Sequence, residues 1–457
     1  MVKQFSPTVL FSLTLLLVTG HAGAESPPLE LGEAMARGRA RAPEVEAARQ
    51  REEAAQARII EAGSYRKPQV RLSETWARTD SPAEAFAFQL NQERFSFPAF
   101  AASDPNDPDA LSTAITRVEV EIPLWTGGEI TTRIRQARLA AEAAGKVTAG
   151  SGDRAALAAA EAWLFLEQAR EQLALLEQAR EALAGHVELA RAYTEQGMLV
   201  RSELLRAEVE LARMDDLLAE MRGRTEIAEA GLAFRLAEPL AASFELAPLA
   251  PPPPLAEDLA AWLGTVETRP DLAAARTLLA AGELEARARK ARLFPRIGIA
   301  ARHDRVDDQL FGSHGESTTV MALATYDLFT GGRNKAAIAA AEAEAAAGRT
   351  EVARFEEGAR LEVEQSFEAA KAAYARLATA GSAIAAADEA LRITEERFRS
   401  GVAKTLDVLD AVTARREAAA REVTARVDAH LALLRLSVAA GRAPESVLSA
   451  MNPGGTP

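Results

Sequence analysis

This chain is written twice, and that limits what it can fold into more than any other feature. Pro123-Leu124-Trp125-Thr126-Gly127-Gly128 returns as Asp327-Leu328-Phe329-Thr330-Gly331-Gly332, with Gly331 204 residues after Gly127. The same spacing joins Gly197 to Gly401. Upstream the halves align at 227 residues, Arg41-Ala42-Pro43-Glu44 with Thr268-Arg269-Pro270-Asp271 and Pro68 with Pro295. The mismatch of 23 places one insertion in the first half, between Pro68 and Gly127. A repeat this long predicts a duplicated structural unit whose features come in pairs.

Each unit reads as short helix, β-hairpin and long helical hairpin. The first covers 25–238, with strands inside 68–124 and a turn at Gly197. The second covers 255–446, with strands inside 295–329 and a turn at Gly401. A proline-rich linker, 239–254, joins them, and 447–457 reads as a flexible tail. Arg117-Val118-Glu119-Val120-Glu121-Ile122 alternates at period two, the clearest strand signal. From Glu129 to Glu195 the apolar residues Ala162, Ala169, Leu176, Leu183 and Ala190 recur every seven, which predicts coiled-coil packing. At 1.5 Å per residue that helix is about 100 Å long. In the second unit the spacing predicts helix over 255–291, strands near 296–304 and 318–328, and helices over 333–398 and 405–440. Residues 81–111, with four prolines and phenylalanines at 86, 88, 95, 97 and 100, read as a long loop packed at the outer end of the strands.

Lys3, the apolar run 9–18 and Ala22-Gly23-Ala24 predict a cleaved secretory signal over 1–24. No later stretch reaches the roughly 20 apolar residues of a membrane helix. The chain has no cysteine, which excludes disulfides and a lipidated cysteine. A net charge of −13 with scattered basic residues argues against a nucleic-acid partner. Exported strands without a membrane helix point to a barrel, because lipid does not tolerate open sheet edges. Four strands cannot close; two copies make a filled eight-stranded barrel, and three make twelve strands around a passage.

The paired aromatic-Thr-Gly-Gly junctions, together with Arg397-Phe398-x-x-Gly401-x(5)-Asp407-Val408-Leu409-x-Ala411, resemble the TolC-type outer membrane factors over nearly the whole mature chain. The resemblance implies a mainly α protein with a small β part. Its long antiparallel helices would form a trimeric α-barrel beneath a twelve-stranded transmembrane β-barrel. It implies a passive exit duct of an efflux pump or type I secretion system in a Gram-negative outer membrane, set in lipid. A periplasmic adaptor and a proton- or ATP-driven inner-membrane transporter would serve it. Carried over by position, Asp407 and Asp410 are expected to ring the periplasmic aperture. Phe398, Lys404 and Glu203 take the place of an aperture latch, although the pattern's basic position is Ala403 here. The turns at Gly197-Met198 and Gly401-Val402 are expected to face the adaptor, and Thr126, Gly127, Gly128, Thr330, Gly331 and Gly332 to turn strand into helix. His303, Asp304 and His314 lack a defined further ligand and are not assigned as a metal site. No cofactor or catalytic motif is expected. The rival reading is a periplasmic coiled-coil scaffold or adaptor without a pore.

Overall fold

The computed structural model describes residues 27–449; the expected signal segment lies outside them. In chain order the elements are α1 (Leu31–Arg41), α2 (Pro43–Ser64), β1 (Gln69–Thr79), α3 (Pro82–Asn91), α4 (Phe97–Ala102), β2 (Leu111–Trp125), α5 (Glu129–Glu195) and α6 (Arg201–Arg235). The second half follows with α7 (Leu259–Leu263), α8 (Pro270–Lys290), β3 (Arg296–Asp307), β4 (Gly315–Thr325), α9 (Arg333–Arg399), α10 (Thr405–Ala439) and α11 (Glu445–Ser449). The duplication is metrically close: α5 and α9 both have 67 residues, α6 and α10 both have 35, and each pair is offset by 204.

Three expectations need correction. The segment after β1 is not all loop, for Ser81 and Ser96 stand before α3 and α4, and their prolines occupy first-turn positions where no N–H is needed. The helix expected over 255–291 breaks into α7, a 3-10 turn at Val266–Thr268 and α8, since Pro270 starts a new helix rather than continuing one. The tail begins as helix, α11 running to Ser449.

The four strands make one antiparallel sheet in the order β1-β2-β3-β4, so the two hairpins pair through β2 and β3 and leave β1 and β4 as edges. Each strand is joined to a helix at its inner end. α2 and α8 lead into β1 and β3, while α5 and α9 leave β2 and β4. Alanine lets these helices approach closely: Ala156, Ala159 and Ala160 are buried beside Trp163 and Leu164 at the middle of α5. The linker is no free tether but a strap laid across the helices at that level. Leu29 bridges to Leu246, Trp163 Nε1 donates to Leu29 O at 2.9 Å, His430 Nε2 lies 2.9 Å from Ala250 O, and the Tyr374 hydroxyl donates to Pro253 O.

Candidate functional site

The strand-to-helix junctions set the geometry of the wall. Gly127 and Gly128 have φ of 63° and 86°, and Gly331 and Gly332 have 61° and 84°. Two successive left-handed residues are tolerable only for glycine, and they swing the chain from strand into helix. Thr126 and Thr330 close the turn, their carbonyls accepting from Glu129 N and Arg333 N at 3.1 Å. The junctions differ in surroundings. A Cβ on Gly127 would lie 2.4 Å from Ala291 O at the end of α8, whereas nothing lies within 4 Å of one on Gly331.

Alternation gives the sheet two unlike faces. Val70, Leu72, Val118, Val120, Ile122, Ile297, Ile299 and Val320 share one, which is apolar and largely exposed. Tyr65, Trp125 and Phe329 stand exposed at its helix end, as an aromatic girdle at a membrane border does. Glu74, an exception in this pattern, accepts from Thr116 Oγ1 at 2.5 Å and Phe311 N at 3.1 Å, near the far border. The other face carries charge in near balance. Arg117 holds Asp304 at 2.7 Å, Arg302 stands 3.8 Å from the same carboxylate, and Arg71 lies 3.9 Å from Glu119. That face suits a water-filled lumen. His303 and Asp304, adjacent in sequence, therefore point to opposite faces, and no group of three potential metal ligands forms among the described residues. No described helix is long and apolar enough to cross a membrane.

At the other end of the molecule, some 100 Å of helix away, two hairpins turn. Gly197 and Gly401 have φ of 71° and 76°. Met198 N donates to Tyr193 O at 2.8 Å and Val402 N to Arg397 O at 2.9 Å, the paired helix-end bonds that a left-handed glycine permits. Met198 and Val402 are 62% and 66% exposed, an apolar tip surface. Asp407 and Asp410 are both exposed on the first turns of α10. Asp407 also has a structural task, since its Oδ2 accepts from Lys404 N at 2.8 Å and caps that helix. Among the described residues Asp410 has no hydrogen-bond or ion-pair partner and is free of such work.

The latch residues do not come together as the sequence pattern implies. Glu203 and Lys404 form no ion pair: Glu203 Oε2 is buried without a partner, and Lys404 is an exposed helix cap. Phe398 is 5% exposed and packs with Val408 and Val412, its ring 4.7 Å from His186 and stacked on Tyr193 at 6.2 Å. It is the core of the tip, joining α5 to α9 and α10. Burial lowers the pKa of His186 and leaves its Nε2 unpartnered. Glu203 is the repeat counterpart of Asp407, and the repeat adds a position that residue-by-residue matching missed: Arg206 stands on α6 where Asp410 stands on α10, 204 residues on.

The sequence matches the model of one family, outer membrane efflux protein, over residues 36–238 and 265–442. No curated protein matches it. Among solved structures it is similar to VceC of Vibrio cholerae, an outer membrane protein, at 18% identity and a TM-score of 0.73, over 91% of this chain and 97% of that one. CmeC of Campylobacter jejuni, an outer membrane channel, aligns at 14% identity and 0.73, over 93% and 88%. MtrE of Neisseria gonorrhoeae, an outer membrane channel described in its open state, aligns at 17% and 0.71, over 91% and 89%.

Proposed function

Because this chain belongs to the outer membrane efflux protein family, we propose that it supplies one third of a closed duct, three copies joining edge to edge around a common lumen. The protein is an outer-membrane efflux channel and not an enzyme. The open flank of α9 is the observation that supports the trimer. α5 packs against α2, α6, α8 and α10, while its repeat mate α9 has only α8 and α10 as long neighbours. The equivalents of the two missing helices are α2 and α6 of a second copy. The unpaired edges β1 and β4 and the empty space beside Gly331 have the same relation to that copy.

The duplication also fixes the register of the seam. Adding 204 to β2 and subtracting 227 from β3 turns the pairs Glu121↔Ala300 and Glu119↔Arg302 into Thr325↔Ser73 and Leu323↔Thr75 between copies. It converts Pro123↔Gly298 into Asp327 opposite Arg71, a complementary pair on the lumen face. Three copies sealed in this way leave no sheet edge in lipid, which is the condition for a membrane barrel.

The helices extend into the periplasm of a Gram-negative cell, after export on a cleaved signal. Asp407 and Asp410 line the mouth, six carboxylates around one axis, and favour cations. The tip turns at Gly197-Met198 and Gly401-Val402 meet a periplasmic adaptor, which couples the duct to an inner-membrane transporter. Purified protein is expected to run as a trimer in mild detergent and to conduct ions in planar bilayers. Asp407→Ala with Asp410→Ala is expected to weaken block by trivalent cations from the periplasmic side severalfold. Monomers without conductance would overturn the duct, and unchanged block would remove the two aspartates from the mouth.

A further inference from the structure

A duct needs only short turns at its outer rim. β3 and β4 are joined by seven residues, 308–314, yet β1 and β2 are joined by 31, 80–110. We propose that this segment folds back inside the barrel and constricts the outer mouth, an inference that rests on the trimeric duct proposed above.

The placement follows from the pleat. Thr113, Asp304, Val306 and Gly315 share the face that carries Arg71 and Glu119, the lumen face. On a bare sheet that face would be wet. Instead Thr113 is 0% exposed, Val306 4% and Asp304 8%. A Cβ on Gly315 would lie 2.0 Å from Asn91 O, so the end of α3 rests on the lumen side, and glycine is what lets it sit there.

The segment is fastened rather than draped. Gln92 is fully buried and its Nε2 donates to Ser112 O at 2.9 Å. Glu93, at φ 55°, turns the chain so that Arg94 reaches the β3–β4 turn, pairing with Asp308 at 2.7 Å and Asp307 at 3.2 Å. Beyond that clamp Phe86, Phe95 and Phe100 pack ring on ring at 5.5–5.6 Å, and Phe97 stands 76% exposed at their edge. Three such segments around one axis give an outer aperture with aromatic walls. The opposite hairpin contributes only its short turn, so the constriction has three members and not six.

Absence of native cysteine makes the test direct. Thr319→Cys places a thiol on the lumen face below the segment. In intact cells it is labelled from outside with a small maleimide and with a bulky polymer-linked one. With the native segment the bulky reagent is expected to react severalfold more slowly than the small one. Gly315→Leu, which forces Asn91 away, and separately Arg94→Ala, which opens the clamp, are expected to abolish that difference while trimers persist on unboiled gels. Equal rates for both reagents with the native segment would overturn the constriction and leave the duct intact. Failure of the small reagent in every variant, together with loss of trimers, would overturn both.

Discussion

His430 illustrates how single residues set the chemistry of this wall. It lies in α10 beneath the strap, and burial pushes its pKa down to about 4, against a helping hydrogen bond to Ala250 O. An unfolded histidine titrates near 6.5, so between those values the unfolded chain binds the proton and the native one does not. Stability from this site is therefore full at neutral pH and falls as pH drops from about 6.5 to about 4, by about 3 kcal/mol at most. His430→Gln keeps a donor for Ala250 and cannot titrate. Its melting temperature is expected to fall less between pH 7 and pH 4.5 than that of the parent; an equal fall would exclude His430 as the titrating group. Glu285 is shifted in the same direction, so it too loses stability as pH falls, but for a different reason. Partial burial raises its carboxyl, but hydrogen bonds from Arg133, Gln136 and Arg289 hold it down at about 2. Much of this scale was not legible in the sequence. The positions of Asp407 and Asp410 were, because helix and turn fix them, but the capping task of Asp407 and the burial of Phe398 depend on which helices happen to meet.

At the scale of elements, glycine and period carried most of the information. The 67-residue helices could be read because a seven-residue repeat and bounding glycines are local signals. α3 and α4 were hidden because proline at a first helical turn looks, in sequence, like proline in a loop. The junctions offer a sharp comparison. Gly127 and Gly128 share a left-handed backbone, and alanine at either costs about 1–2 kcal/mol on that account. Only Gly127 also faces backbone, at Ala291 O. Gly127→Ala is thus expected to lower trimer yield and the temperature of heat dissociation well below those of Gly128→Ala. Equal effects would mean that the second half does not bear on the first at this corner.

For the whole molecule, what the sequence left out is the partner across each open edge, since no described residue pairs with β1 or β4 on its outer side. Repeat arithmetic supplies it. With cysteines at Arg71 and Asp327 in an otherwise cysteine-free chain, oxidation is expected to link copies into covalent dimers and trimers on denaturing gels. Cysteines at Arg71 and Thr325, shifted by two, are expected to link far less, because a disulfide spans only about 4.4–6.8 Å between Cα atoms. Efficient linking of the shifted pair would give the seam another register.

The strap has a mechanical consequence. It crosses α5, α9 and α10 near Trp163, Tyr374 and His430, with Trp163 midway along α5. Like the hoop on a cask, it fixes the girth at the waist, so the staves can spread only toward their free ends.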